Sequence, residues 1–321
     1  MRGAARGVLC PRRRQLPPVK HRRRSAEGGS VATVTFGLFG VGDMGAAVAA
    51  RLFGHGARVV APLRDRAPRT RGLAAQAGVQ DCGDVPALLA EADLLLSIVP
   101  PAEAGNVARQ VAAAAAGVAA RPVFVDCNAV SPGTMLEIER CLARAGLKCV
   151  DAGIIGPPPR REGTTRFYVS GAVDAVAPLE RYGLEVARLA GPVGAASGFK
   201  MCYAASTKGF LALCTELLAA AHGLNVLEPL RREFEQSQPH LWPMLERLLP
   251  AVPSKCGRWI GEMEEIAACF EQQGLTPEIM SGVAAFYRTM QAIPAAALTP
   301  EQPDRFPDIE ELARQMRATG T

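Results

Sequence analysis

Short apolar runs recur through the first 195 residues, separated by stretches with helical spacing. The runs at 34–39, 58–61, 93–99, 122–126 and 148–151 read as strands, with shorter ones at 167–170 and 187–189. Residues 46–53, 87–92 and 133–145, and an alanine-rich stretch behind Pro100-Pro101, read as helices. Strands alternating with helices predict a parallel, doubly wound α/β sheet. From Ala196 onward no β-rich run appears. Helical spacing continues to Met316, with breaks near residues 250–253 and 294–303 and a long helix expected at 198–221. The pattern therefore predicts an α/β domain at 31–195 and an all-helical domain at 196–321, behind a basic tail at 1–30.

The first strand bends through Gly40-Val41-Gly42-Asp43-Met44-Gly45 into an alanine-rich helix. In that strand–turn–helix setting, G-x-G-x-x-G is a dinucleotide-binding pattern. Gly40 permits the tight turn, Gly42 lets the backbone approach a pyrophosphate, and Gly45 lets helix and strand pack closely. The helix N-terminus offers unpaired N–H groups to the phosphates. Gly40, Gly42, Asp43, Met44 and Gly45 are thus candidate cofactor residues of a Rossmann-type domain. At the end of the second strand, where such folds meet the adenosine ribose, stand Arg64, Asp65 and Arg66. The arginines favour NADP(H) through its 2′-phosphate, while Asp65 keeps NAD(H) open. Ligands of this fold lie at the carboxyl ends of the strands, which is where Val99, Pro100, Asn128 and residues 151–156 fall.

Composition narrows the picture. With 49% hydrophobic residues the chain is globular and not disordered, and no apolar run is long enough to span a bilayer. The nine cysteines show no metal-ligand spacing, so no metal is expected; free thiols in a reducing, cytoplasmic setting are. Neither Cys127 nor Cys202, the two near the proposed site, is marked as a nucleophile. The formal charge of +5 misleads: residues 1–30 hold nine basic residues and one acid, which leaves a net of −3 for the rest. The tail has three readings. It is an organelle transit peptide, although its first serine is Ser25; or it binds nucleic acid or anionic membrane by charge; or it is untranslated, with the start at Val31. The acidic body argues against nucleic acid as a partner of the folded protein, and no membrane partner is expected.

Four segments resemble the β-hydroxyacid dehydrogenase and 6-phosphogluconate dehydrogenase superfamily: Gly37-Leu-Phe-Gly-Val-Gly-Asp-Met-Gly45, Asp126-Cys-Asn-Ala-Val-Ser-Pro132, Asp151-Ala-Gly-Ile-Ile-Gly156 and Gly198-Phe-Lys-Met-Cys-Tyr-Ala204. The resemblance covers residues 33–290. It is nearest a little-characterised bacterial branch carrying Lys-Met-x-Tyr-Ala…Thr-Lys-Gly and Gly-Arg-Trp…Glu-Met-Glu-Glu, as at 200–209 and 257–265. The resemblance implies a nucleotide domain, an all-α domain like the C-terminal domain of 6-phosphogluconate dehydrogenase, and a substrate site in the cleft between them. It also implies a homodimer formed through the helical domain, and reversible oxidation of an alcohol on a small acid. Lys200 matches the lysine that moves the proton.

Departures from the family pattern are as informative. Ala204 stands where the family has an orienting Asn, Tyr203 where it has Asn or His, and Thr207 where the decarboxylating members have an acid. Lys200, Ala204 and Thr207 are expected on one helix face. Tyr203 is read either as a second proton donor or as a core residue. Lys208 replaces a phosphate-contacting tyrosine, as an anion-holding or an exposed lysine. Ile155 replaces a carboxylate-binding serine beside Gly156, Pro157 has no amide to donate, and Pro158 to Arg161 are expected to form a stiff cationic rim. Asn128 takes the place of a substrate-contacting Ser or Thr. In the helical domain Arg258 and Glu262 are candidates by position, with Trp259, Ile260 and Met263 read as core. These residues describe an oxidoreductase acting on a small anionic alcohol or carbonyl. An imine reductase of the same superfamily is the alternative, though such enzymes generally replace the lysine; a non-catalytic dimeric binding module is the alternative of another class.

Overall fold

The computed structural model describes residues 33–299 and 302–318. The basic segment 1–30, with its three readings, lies outside them. Strand β1 (Thr35–Phe39) leads through the glycine turn into α1 (Asp43–Gly54). β2 (Arg58–Ala61) and α2 (Pro68–Gln76) follow, then β3 (Gln80–Asp81), α3 (Val85–Glu91), β4 (Leu94–Ser97) and α4 (Pro101–Ala115). β5 (Val123–Asp126), α5 (Pro132–Arg144), β6 (Cys149–Ile155), β7 (Arg166–Gly171), α6 (Ala177–Arg181) and β8 (Glu185–Arg188) complete the α/β part.

The eight strands form one sheet in the order β3-β2-β1-β4-β5-β6-β7-β8. β1 to β6 run parallel, with the strand order reversing between β1 and β4, the arrangement that opens a crevice at the carboxyl ends. The β6–β7 pairing is an exception within this parallel sheet: β7 runs antiparallel to β6, with Ile155 opposite Arg166. No helix lies between these two strands, and so short a connection cannot return a chain to the starting end for a parallel neighbour.

Alternate residues of each central strand face opposite sides. Phe36 and Leu38 pack with Val48, Leu52 and Val59 on one face; Phe39, Leu95 and Phe124 pack with Leu88, Val111 and Met135 on the other. Each such fully buried side chain contributes about 1.5–3 kcal/mol. Two-sided burial is why these strands read as continuous apolar runs.

Beyond β8 the chain is helical. α7 (Ala195–Ala204) passes through one π-helical turn (Ala205–Gly209) into α8 (Phe210–Gly223), which corrects the single long α-helix expected there. α9 (Leu227–Ser237), α10 (Leu241–Leu248), α11 (Pro253–Gln272), α12 (Glu278–Met290) and α13 (Ile309–Ala318) follow. Their common core includes Met201, Trp242, Met263, Ile266, Tyr287 and Met290. Among the described residues no helix is long and apolar enough to cross a membrane.

Candidate active site

The glycine turn at the end of β1 is defined by what a side chain would meet. Gly40 has φ +87°, and a Cβ there would lie 2.0 Å from the Ile98 carbonyl oxygen. At Gly45 a Cβ would lie 1.9 Å from the carbonyl oxygen of Gly40. Gly42 differs from both: its φ of −86° and ψ of −164° suit any residue, and a Cβ would meet nothing within 4 Å. Packing explains two of the glycines; at the third the backbone is open over the turn. Gly42 is also the N-cap of α1 and supplies no side-chain cap, so the first-turn N–H groups are left for an anion. A cleft of about 280 Å³ runs past Gly40 and Gly42 to Val99 and Pro100 on one side and Arg66 and Thr70 on the other. The turn and cleft fit a dinucleotide.

One expected contact is relocated. Arg64 is exposed, and its guanidinium lies over Gly83, away from the cleft; Arg66 lines the cleft instead. The cause is Asp81, whose carboxylate accepts from the Leu63 and Gly83 N–H groups (3.0 and 2.8 Å) and so sets the course of the loop after β2. Asp43 forms an ion pair with Arg160 from the loop after β6, and Met44 packs half-buried against the core.

Asn128 is turned inward. Its Oδ1 accepts from Val99 N (2.7 Å), while Nδ2 donates to Ser97 Oγ and Asp126 Oδ2 (2.9 Å each). Both amide donors are spent, so the expected direct contact with substrate is corrected to a brace between the ends of β4 and β5. That brace fixes Val99 at the cleft wall. Burial pushes the Asp126 carboxyl up to about 7 against the opposing pull of its hydrogen bonds from Asn128. Burial also drives the Cys127 thiol far above its usual range, so it is inert.

Lys200 is held by β6. Buried Asp151 receives the Gly194 and Ser197 N–H groups and Ser170 Oγ on Oδ2, and Ser197 Oγ on Oδ1. A carboxylate at the N-terminus of α7 both caps the helix and opposes its dipole. Gly153 lets α7 lie against β6, since a Cβ there would come within 3.0 Å of Ala196 O and Lys200 Cβ. Two turns along, Lys200 Nζ donates to the Ile154 carbonyl near the carboxyl end of β6. At the usual strand spacing that end is three strands, about 14 Å, from the glycine turn on β1. Burial is the main cause that brings the Lys200 ammonium down to about 8; Lys208 also lowers it, and Glu262 works in the opposite direction.

The π-turn rearranges the expected helix face. Seven α-helical steps return to within about 20° of the starting direction, and one inserted residue makes it eight. Lys208, not Thr207, therefore shares the Lys200 face. Its Nζ lies 2.5 Å from Glu262 Oε1, and Lys200 Nζ lies 3.9 Å from the same oxygen. The exposed-lysine reading of Lys208 is thereby corrected. Thr207 instead donates its hydroxyl to the Tyr203 and Ala204 carbonyls. Tyr203 is 46% exposed, which removes its core reading. Arg258 is exposed one turn before Glu262, Ile155 is half-buried at the end of β6, and Gly156 is exposed with φ +117°. Position in the chain pointed to Glu262, but nothing in the sequence showed its partners.

Comparison with known proteins places the fold. The NAD binding domain of 6-phosphogluconate dehydrogenase matches residues 35–187, and a domain of unknown function (DUF1932) matches 221–290. The 3-hydroxyisobutyrate dehydrogenase of Pseudomonas aeruginosa is 31% identical over 175 residues, 51% of this chain and 56% of that enzyme. A conserved protein of unknown function, described as structurally similar to 3-hydroxyacid dehydrogenases, superimposes with a TM-score of 0.64 at 26% identity, covering 80% of this chain and 97% of that one. The Mycobacterium tuberculosis 3-hydroxyisobutyrate dehydrogenase with L-serine shares the fold, with a TM-score of 0.68 at 20% identity, covering 89% of this chain and all of the other.

Proposed function

The chain belongs to the β-hydroxyacid dehydrogenase-like superfamily, and on that premise we propose that it oxidises or reduces a small anionic alcohol or carbonyl compound, with Lys200 as general acid and base. When bound, the nicotinamide supplies or accepts the hydride. The observation that carries the reading is Lys200 itself: an amine buried at the carboxyl edge of the sheet, anchored on the Ile154 carbonyl, with a proton affinity brought near neutrality. A group of that kind can hand a proton to a forming alkoxide and take it back from an alcohol. Val99 and Pro100 wall the cleft on the side toward Lys200. Arg66, with Thr70 beside it, supports a preference for NADP(H) over NAD(H), because a guanidinium pairs well with a 2′-phosphate.

A carboxylate-bearing substrate would meet a net positive charge, since two ammonium groups share one buried carboxylate. Exposed Leu213, Leu224, Leu275 and Ile279 on the helical part support a homodimer formed there. The eight cysteines among the described residues are all free, which supports a reducing compartment such as the cytoplasm.

The test is a panel of hydroxy acids and their carbonyl partners, assayed in both directions across pH. With Lys200 titrating near 8, oxidation should rise as pH rises through that value, because the base must be unprotonated. Reduction should fall over the same range, because the acid must be protonated. Profiles that are flat between pH 7 and 9 in both directions, with chemistry rate-limiting, would remove Lys200 from the proton transfer.

A further inference from the structure

The three-charge cluster beneath the site is built from parts far apart in the chain. Lys200 comes from α7, Lys208 from the π-turn, and Glu262 from α11. Glu262 is 7% exposed, and its Oε1 makes no hydrogen bond although both ammonium groups lie within 4 Å. Neither amine is aligned on it, so charge alone holds this buried oxygen. Such an acid is costly to bury, and it stays only where the surrounding structure holds it in place.

That structure is visible on all sides. Glu265, one turn beyond Glu262, accepts from Ser131 N (2.7 Å) and Thr134 Oγ1 (3.0 Å) at the N-terminus of α5, which sets where α11 lies. Tyr287 Oη donates to the Lys208 carbonyl (2.7 Å) within the π-turn. The Lys208 ammonium also lies 5.6 Å from the centre of the Trp259 ring. These contacts tie the π-turn to α12 and α11 to α5, the segments that carry or brace Lys208 and Glu262.

We propose that Glu262 is the positioning residue of this site, and that it shares its charge between Lys208 and Lys200 so as to set how firmly Lys200 holds its proton. Lys208 is the counter-cation: it takes part of the negative charge that would otherwise strengthen the hold of Lys200 on its proton. The other elements packed on Lys200 add no competing charge. β6 presents the Ile154 carbonyl, its Asp151 is engaged with the α7 N-terminus, and Tyr168 of β7 stacks on Phe199. The consequence for turnover rests on Lys200 being the proton carrier, but the placement of charge does not.

The experiment reads Lys200 directly and needs neither substrate nor nucleotide. Trace acetylation of the full chain across pH 6–10, with mass spectrometry of the peptide bearing Lys200, gives the midpoint at which that amine loses its proton. The wild-type midpoint should lie near 8. Removing the acid with Glu262→Gln should lower it by about one unit or more, a tenfold change in proton affinity; removing the counter-cation with Lys208→Met should raise it by a similar amount. The double variant should return to within about half a unit of wild type, because the two effects oppose each other. A purely structural Glu262 would lower thermal stability in Glu262→Gln and leave the midpoint in place, and that result overturns the proposal. Should Glu262→Gln not fold, Lys208→Met decides alone: an unchanged or lowered midpoint overturns the proposal, a raised one upholds it. Failure here leaves Lys200→Ala kinetics untouched, and failure of Lys200→Ala leaves these midpoints untouched, so the two ideas fall separately.

Discussion

Lys200→Ala is expected to lower kcat by about 10²–10⁴-fold, with nucleotide affinity and folding unchanged. The magnitude is that of a proton transfer left to water. Folding survives because the deletion leaves no orphaned charge: Glu262 keeps its 2.5 Å partner Lys208, and the Ile154 carbonyl lies at a strand end that water can reach once the side chain is gone. The helix is held by Asp151 and not by Lys200, so α7 stays on β6. Turnover on the best substrate of the panel, measured beside the melting temperature and a nucleotide titration, separates these effects. A loss of turnover that tracks a loss of stability would mean that Lys200 is structural.

A pair of glycine substitutions should split cleanly between fold and ligand. Gly45→Ala forces a methyl group to within 1.9 Å of a backbone carbonyl that has no freedom to move, and is expected to cost about 3 kcal/mol of stability. Gly42→Ala places the same methyl group in open space on a backbone suited to alanine, and should leave stability within about 0.5 kcal/mol. Its effect should fall on the nucleotide, with affinity reduced at least about tenfold, because the methyl group occupies the path of the pyrophosphate. Equal melting temperatures with equal nucleotide affinity for wild type and Gly42→Ala would show that nothing passes over that turn.

Where the sequence was legible, a single local signal sufficed. The glycine turn and the buried runs of β1, β4 and β5 each stand in an unbroken stretch whose pattern does not depend on distant neighbours. β3 was invisible because its two residues, Gln80 and Asp81, are exposed and carry no apolar pattern. α2 hid for a similar reason: its first five residues are Pro68, Arg69, Thr70, Arg71 and Gly72, and only Ala74 of the helix is buried. The π-turn has no signature in the sequence, so the ideal-helix count placed Thr207 where Lys208 stands. Arg66 in place of Arg64 depends on Asp81 holding the loop from another strand. The inward turn of Asn128 likewise depends on Ser97 and Val99, which only sheet pairing brings alongside. Glu262 meets its lysines across more than fifty residues of chain. In the misses at Arg66, Asn128 and Glu262 the deciding contact is long-range, and no local pattern records it.

The measurement that bears most directly on the central claim is a titration of the wild-type protein with NADPH and with NADH, followed by the fluorescence of the reduced nicotinamide. The account predicts saturable binding in the micromolar range, at least about tenfold tighter for NADPH because Arg66 faces the cleft. Tighter NADH binding would contradict the role given to Arg66 and leave the rest standing. Absence of binding by a folded protein at millimolar concentrations of both would contradict the reading of Gly40, Gly42 and the α1 N-terminus, and with it the proposed oxidoreductase.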